Sequence, residues 1–396
     1  MKTGSTRTAR GRAGTTDSAA MIPDRPDSGA HALVLVGGGH SHVEVLRRFA
    51  ASPPSAARLT LVSTGRYTPY SGMLPGLIAG VYRFEDTHID LALLARRAGA
   101  EFIEAGAARL DTGRRALELD NGRLLRYDTL SVNTGSQPDL SRIPGARAHG
   151  IPVKPVDSFL KAWEVLRRRG RDEGLRITVV GAGAAGVELT LAMQHSLGGA
   201  GGRCEFWLVS DGPVLPSHSA AARRMVQNIL IARGVRVQTG RAVVAAEPGR
   251  LRLGDGRTVA TDATIWTVGA APPPWIAQSG LTTDPRGFVA IDHHLRSVSH
   301  PEVFAAGDSA TLLAAPTPKS GVYAVRQGPL LALNLRRAIA GGPLARFRAQ
   351  RRTLALISAG GRYAVASYGS LALEGRWVWR WKDWIDRRFM ARYRED

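Results

Sequence analysis

"RITVVGAGAAGVELT" runs from Arg176 to Thr190. An apolar run, a glycine turn and an apolar stretch of helical pattern follow one another in that order. Gly181, Gly183 and Gly186 complete a G-x-G-x-x-G. The first glycine allows the tight turn, the second lets the backbone approach a pyrophosphate, and the third lets helix pack closely on strand. The helix N-terminus then attracts the phosphate charge. This context predicts a dinucleotide-binding unit.

Working outward, nearly the same phrase occurs earlier, as "ALVLVGGGHSHVEVL" from Ala32 to Leu46. Gly37 and Gly39 keep the first two glycines, but His42 stands in the third place. A larger side chain there requires the helix to stand slightly off. His40 and His42, with Ser41 between them, are candidate phosphate ligands. The two copies also close alike, with "LELDNGRLLRYDTLSVNTGSQP" (Leu117 to Pro138) and "LRLGDGRTVATDATIWTVGAAP" (Leu251 to Pro272). Gly122, Asp128, Gly135 and Pro138 line up with Gly256, Asp262, Gly269 and Pro272 at one constant spacing. A duplicated unit predicts two dinucleotides in one protein, with Gly135 and Gly269 closing the two sites.

A carboxylate is expected about 20 residues past each glycine turn, where it would bind ribose hydroxyls. Ser63 ends the first such strand, and Ser210 ends the second, with Asp211 next. Asp211 would repel a 2'-phosphate, which favours NADH over NADPH. A later phrase, "VFAAGDSA" (Val303 to Ala310), ends an apolar strand in Gly307-Asp308. An Asp at a strand end can accept hydrogen bonds from sugar-alcohol hydroxyls. Alternating strands and helices indicate parallel sheets, and the Asn-Gly and Asp-Gly turns mark hairpins. The expected plan is α/β, with two Rossmann-like units, the second inserted in the first. Residues 31–150 and 290–345 form the first, 151–289 the second, and 346–396 a C-terminal appendage.

Composition bounds the chemistry. The chain has 396 residues, a formal charge of +20 and one cysteine, Cys204. A single cysteine excludes an intramolecular disulfide and a dithiol relay. No apolar run reaches the roughly 20 residues of a membrane-spanning helix. Residues 1–30 are polar and Arg-rich, which predicts a disordered tail without a secretory core. The excess of arginine fits nucleic acid, an anionic membrane surface, anionic cofactors or an Arg-rich composition in general. No nucleic acid and no metal are expected, and the protein is expected to be cytoplasmic.

Taken together, the two glycine units, the turns at Thr134-Gly135 and Thr267 to Gly269, and the late A-A-G-D resemble the pyridine nucleotide–disulfide oxidoreductase superfamily of FAD enzymes. That resemblance implies FAD on Gly37, Gly39 and Gly135, its ribityl chain on Asp308, and NAD(P)H on Gly181, Gly183, Gly186 and Glu188. "GGGHSHVEVLRRF", "YSGMLPGLIAGVY", "KSGVYAVRQGPLLALNL" and "WKDWIDRRFM" are similar to the FAD-dependent oxidoreductase fused ahead of selenophosphate synthetase. That subgroup is similar in turn to type II NADH dehydrogenases, which pass electrons from NADH through FAD to a quinone. The loop "TPYSGMLPG" lacks the redox cysteine pair of the disulfide reductases. Gln327 in "GVYAVRQG" is the candidate quinone-facing residue. Lys154 and Lys319, lone lysines among arginines, are candidates to stabilise anionic reduced flavin. Glu188 is the candidate to place the nicotinamide. A protein or selenium-compound acceptor, and a structural flavin in a membrane or nucleic-acid-binding protein, stand as alternatives.

The closing "RWVWRWKDWIDRRFMARYRED" places Trp377, Trp381, Trp384, Ile385 and Phe389 near one helical face. Trp and Arg on an amphipathic helix suit an anionic membrane interface through residues 376–393. The competing expectation is that this face packs on the protein's own body or in a homodimer.

Overall fold

The computed structural model describes residues 1, 29–54, 57–198, 202–350 and 353–394. The expected disordered tail, apart from its first and last residues, lies outside the described residues. Two five-stranded parallel sheets carry the architecture. In the first, Val303–Ala305, Thr129–Val132, His31–Val36, Ala57–Ser63 and Glu101–Glu104 lie side by side in that order. In the second, the order is Ile151–Pro152, Ala263–Trp266, Arg176–Val180, Glu205–Val209 and Arg236–Gln238. Both are mixed α/β units of one plan, and the late strand Val303–Ala305 returns to the first sheet, so the second unit is inserted in the first.

The repeated letters have physical work in both copies. Asp128 accepts from the Ala32 N–H at 2.8 Å, and Asp262 accepts from the Arg176 N–H at 2.8 Å. Each thereby clamps the start of its own central strand. Gly122 and Gly256, at φ +80° and +84°, occupy left-handed turn positions that other residues adopt with strain. Each unit also carries a three-stranded antiparallel sheet, Ala107–Asp111 with Ala116–Leu119 and Leu124–Arg126, and Val243–Glu247 with Arg250–Leu253 and Thr258–Ala260. The two closing loops meet: Gln137 and Ala271 exchange backbone hydrogen bonds of 2.9 and 2.8 Å.

The C-terminal segment forms three antiparallel strands, Ala355–Ser358, Ala364–Tyr368 and Leu371–Gly375, and the helix Arg376–Ala391. It is divided between two cores. Ile357, Ala359 and Val365 join the core of the second unit, while Phe389, Met390 and Tyr393 join that of the first. The helix is also turned differently from the expectation. Trp377, Trp381 and Trp384 are 52, 38 and 57% exposed, but Phe389 is buried against Tyr70, with rings stacked at 4.4 Å. Five residues beyond Trp384, a helix of 3.6 residues per turn has rotated well past the tryptophan stripe. The buried face carries Lys382 and Asp386 instead. Lys382 Nζ donates to Asp386 at 2.5 Å and to the Gly72 carbonyl at 2.5 Å. Cys204 is half-buried, and its Sγ donates to the Gly170 carbonyl at 3.2 Å.

Candidate functional site

In the second unit the glycine turn is built as its letters require. Gly181 sits at φ +109°, and its N–H donates to the Val209 carbonyl at 2.8 Å. A Cβ on Gly186 would come within 1.8 Å of the Gly181 carbonyl oxygen, so no side chain fits there. Gly183 is exposed and has open space where a side chain would stand, which leaves room for a diphosphate. Thr267 donates to the Val180 and Gly181 carbonyls at 2.9 and 3.0 Å and ties the turn down. Gly269, at φ +51°, packs beside Asp139. Ser210 is buried at the strand end and accepts from the Gly212 N–H at 3.3 Å, while Asp211 is exposed.

The first unit reaches the same turn by different means. Gly37, at φ +96°, and Gly39 lie so close to Asn133 that a Cβ on either would approach it within 2.5 Å or less. The Ser63 hydroxyl lies beside Gly38. His42 is not a phosphate ligand. It is fully buried, with Nδ1 2.7 Å from the Gly37 carbonyl and Nε2 2.8 Å from the Ser131 hydroxyl. Burial brings its pKa down to about 4, so the neutral ring donates from Nδ1 to Gly37 and accepts from Ser131. A ring at the third glycine position thus fills the gap between helix and turn and bonds the carbonyl that Gly186 merely abuts in the other copy.

Sequence reading passed over Asn133. Its Oδ1 accepts from the N–H groups of Ser41 and His42 at 3.1 and 3.3 Å, and its Nδ2 donates to Ala306 at 2.7 Å. It therefore joins the glycine turn, the helix start and the strand end before Gly307. The signal was available, because Asn133 and Thr267 hold the same place in the duplicated closing phrases.

Gly307, at φ +64°, turns the chain so that Asp308 faces back toward this edge. Asp308 Oδ2 accepts from Lys154 Nζ at 3.2 Å and from the Ser136 hydroxyl at 3.2 Å. Its Oδ1 is buried without a partner, as is His40 Nε2. Gly135, at φ +75°, donates to Ser309 Oγ at 2.9 Å and completes the rim. A buried polar atom left unpaired costs about 1–3 kcal/mol. Unsatisfied oxygen and nitrogen atoms converging beside a glycine turn fit the polyhydroxylated chain and diphosphate of FAD. His40 itself is packed against Tyr70 and Phe389, with ring centroids 5.5 and 6.1 Å away.

Three expected catalytic side chains are engaged elsewhere. Lys319 Nζ donates to the Ala310 carbonyl at 2.5 Å and the Thr311 hydroxyl at 2.9 Å, and lies 3.8 Å from the Phe288 ring centre. Burial lowers its pKa to about 8. It braces the segment after Asp308, which is a correction to the expected flavin-facing role. Gln327 is likewise corrected. It is buried in the helix Gly321–Ile339, and its Oε1 accepts from the Gly307 N–H at 2.6 Å, so it holds the Gly307-Asp308 turn rather than facing an acceptor. Glu188 accepts from the Ser358 N–H at 2.7 Å and faces Lys382 and Asp386, so its carboxyl is directed to the C-terminal segment. Burial raises its pKa to about 7, against the lowering effect of Lys382 and the Ser358 bond.

Residues 31–328 match the pyridine nucleotide-disulphide oxidoreductase family, to which the chain belongs. Among curated relatives, an NADH dehydrogenase-like protein of Mycobacterium tuberculosis is 27% identical over 223 residues, covering 54% of this chain and 56% of the relative. An alternative NAD(P)H-ubiquinone oxidoreductase of Arabidopsis thaliana is 28% identical over 289 residues, covering 65% of this chain and 55% of its own. The chain thus spans about half the length of these relatives. The sulfide:quinone oxidoreductase of Aquifex aeolicus superposes with a TM-score of 0.78 at 19% identity, over 92% of each chain, which shows a shared fold.

Proposed function

We propose that the protein is an FAD-dependent NAD(P)H dehydrogenase that passes electrons to a quinone-like acceptor. The observation that carries this reading is the pairing of two dinucleotide turns, joined loop to loop at Gln137 and Ala271, with a half-satisfied Asp308 on one side only. In this reading residues 31–150 and 290–345 hold FAD, and residues 151–289 hold NADH. FAD, when bound, would accept a hydride from the nicotinamide and return electrons to the second acceptor.

The chain's own groups position and polarise. Asp308 Oδ1 would accept ribityl hydroxyls, and Lys154, held against Asp308 Oδ2, places a positive charge at the same edge. Ser63 stands where the first ribose would lie, and Ser210 and Asp211 where the second would. The exposed Asp211 carboxylate disfavours a 2'-phosphate and so supports NADH over NADPH. The Gly186 contact keeps the second helix close to its turn, so its N-terminal dipole faces the incoming diphosphate.

The relatives' printed names support a quinone as acceptor. The finer resemblance, to the oxidoreductase fused ahead of selenophosphate synthetase, supports a protein or selenium compound instead. An anionic membrane surface is the proposed partner of the outer helix face, because Trp377, Trp381 and Trp384 are exposed together with Arg376, Arg380 and Arg388. Among the described residues, no helix is long and apolar enough to cross a membrane.

Anaerobic titration of the flavin-loaded protein with NADH is the deciding test. Bleaching of the flavin absorbance is expected, followed by recovery on adding a soluble quinone. A flavin that neither NADH nor NADPH bleaches would overturn the dehydrogenase reading. Bleaching that only a selenium compound or a protein reverses would replace the quinone.

A further inference from the structure

We propose that FAD binding at the first unit takes up one proton, and that the His40 ring carries it. This rests on the reading of the first unit as the FAD site. A helix N-terminus ordinarily meets a diphosphate with its own free N–H groups. In the first unit, the N–H groups of Ser41 and His42 are turned into Asn133 Oδ1 at 3.1 and 3.3 Å. In the second unit, Thr267 takes none of the helix donors, because its hydroxyl donates to turn carbonyls. A diphosphate arriving at the first unit therefore meets a helix start whose donors are partly consumed. The titratable ring standing at that start is His40, the first residue of the helix His40–Ala51.

His40 is prepared for such a role. Its Nε2 is buried with no partner, and the ring packs against the stacked pair Tyr70 and Phe389. Without a bound anion the ring is neutral, since burial lowers its pKa to about 4. Two charged groups act on it from neighbouring segments, Asp308 favouring the charged ring and Lys154 opposing it, and these two are paired with each other at 3.2 Å. Tyr70 faces it from the loop, with Asp386 behind. Phe389 faces it from the C-terminal helix, followed by Tyr393. On its own helix Glu44 is bonded to Arg47, Arg48 and Tyr393. The adjoining helix Gly321–Ile339 carries Arg326, whose Nη1 is buried without a partner. A diphosphate brings negative charge beside an imidazole that no surrounding carboxylate already satisfies, and that raises the ring's proton affinity.

The sign follows from linkage. The ring is neutral in the free protein above about pH 4 and protonated in the complex until pH passes the raised value. FAD affinity is therefore highest at low pH and falls as pH rises through that window, by up to about tenfold per pH unit.

The test is calorimetric binding of FAD to the full chain freed of flavin, in two buffers of different ionisation heat, from pH 5.5 to 8. The expected result is an uptake of about one proton per FAD within that range, with a Kd that rises with pH. His40→Gln should abolish the uptake and flatten the pH dependence, while its melting temperature without FAD stays near that of the parent. A parent protein that binds FAD with no proton uptake and a flat Kd overturns the proposal without recourse to any variant. Uptake that persists in His40→Gln overturns it too, and moves the proton to another group. Absence of FAD binding at every pH overturns the cofactor reading of the first unit itself.

Discussion

The two halves of this molecule use the same plan, with different side-chain chemistry at several matching positions. At the third glycine position, Gly186 leaves bare backbone against backbone, and His42 inserts a ring that bonds the turn. At the closing loop, Thr267 donates to the turn, and Asn133 accepts from the helix and donates across to Ala306. Two residues past the third glycine position, both copies carry glutamate, Glu44 and Glu188. Burial pushes both carboxyls up, but hydrogen bonds from Arg47 and Arg48 more than offset it at Glu44, whose pKa is lowered. Glu188 has no arginine on its own helix turn and rises to about 7. Both glutamates hold the C-terminal segment, Glu44 through the Tyr393 hydroxyl at 3.1 Å and Glu188 through the Ser358 N–H at 2.7 Å. The lesson is that duplication conserves backbone geometry, while side chains set what each copy of it can bind.

The largest effect should come from the cation that the second unit shares with the C-terminal helix. Lys382→Met leaves the buried Asp386 without its charge partner and removes a favourable charge from Glu188. A loss of about 3–5 kcal/mol is expected by denaturant unfolding. A double variant, Lys382→Met with Asp386→Leu, should recover much of it, and equal losses in both would show that the pair is not a unit.

Exchanging the third position tests the turn itself. His42→Gly removes a buried ring and its two hydrogen bonds, at an expected cost of about 2–4 kcal/mol. Gly186→Ala should cost about 1–3 kcal/mol and weaken NADH binding while FAD is retained. Loss of FAD rather than NADH from Gly186→Ala would reverse the assignment of the two units.

The glutamates should part with pH. Because the folded pKa of Glu188 lies above its ordinary value of 4.5, the parent protein loses stability from that group as pH rises from about 4.5 to about 7. Glu188→Gln should therefore match the parent near pH 4.5 and exceed it above pH 7 by an amount on the order of 2–3 kcal/mol. Glu44→Gln should show the reverse sense, losing stability at neutral pH. Melting curves across that range decide both signs.

The smallest contrast is between the two clamps. Asn133→Ala should cost about 1–3 kcal/mol and loosen FAD, and Thr267→Val about 1 kcal/mol with a smaller effect on NADH. Equal effects would mean that Asn133 is only a second copy of Thr267.

Much of this could be read in advance because backbone demands leave clear letters. Glycines at Gly181 and Gly186 answer steric needs that hardly another residue can meet, and the repeated Asp128 and Asp262 mark strand starts. Side-chain direction was less legible. Lys319, Gln327 and His42 looked free to act, yet each is bound to a backbone group brought near by folding.

The sequence by itself determined the duplication, the two parallel sheets, the position of the glycine turns and the lack of a redox cysteine pair. Local sterics and period set these, and both are written in neighbouring residues. Only the tertiary structure decided that Asn133 binds three segments, that Phe389 and Lys382 point inward while the tryptophans point out, and that Asp308 keeps one oxygen free. Those outcomes depend on contacts between residues far apart in the chain, where burial and hydrogen-bond satisfaction choose among orientations that local pattern leaves equivalent.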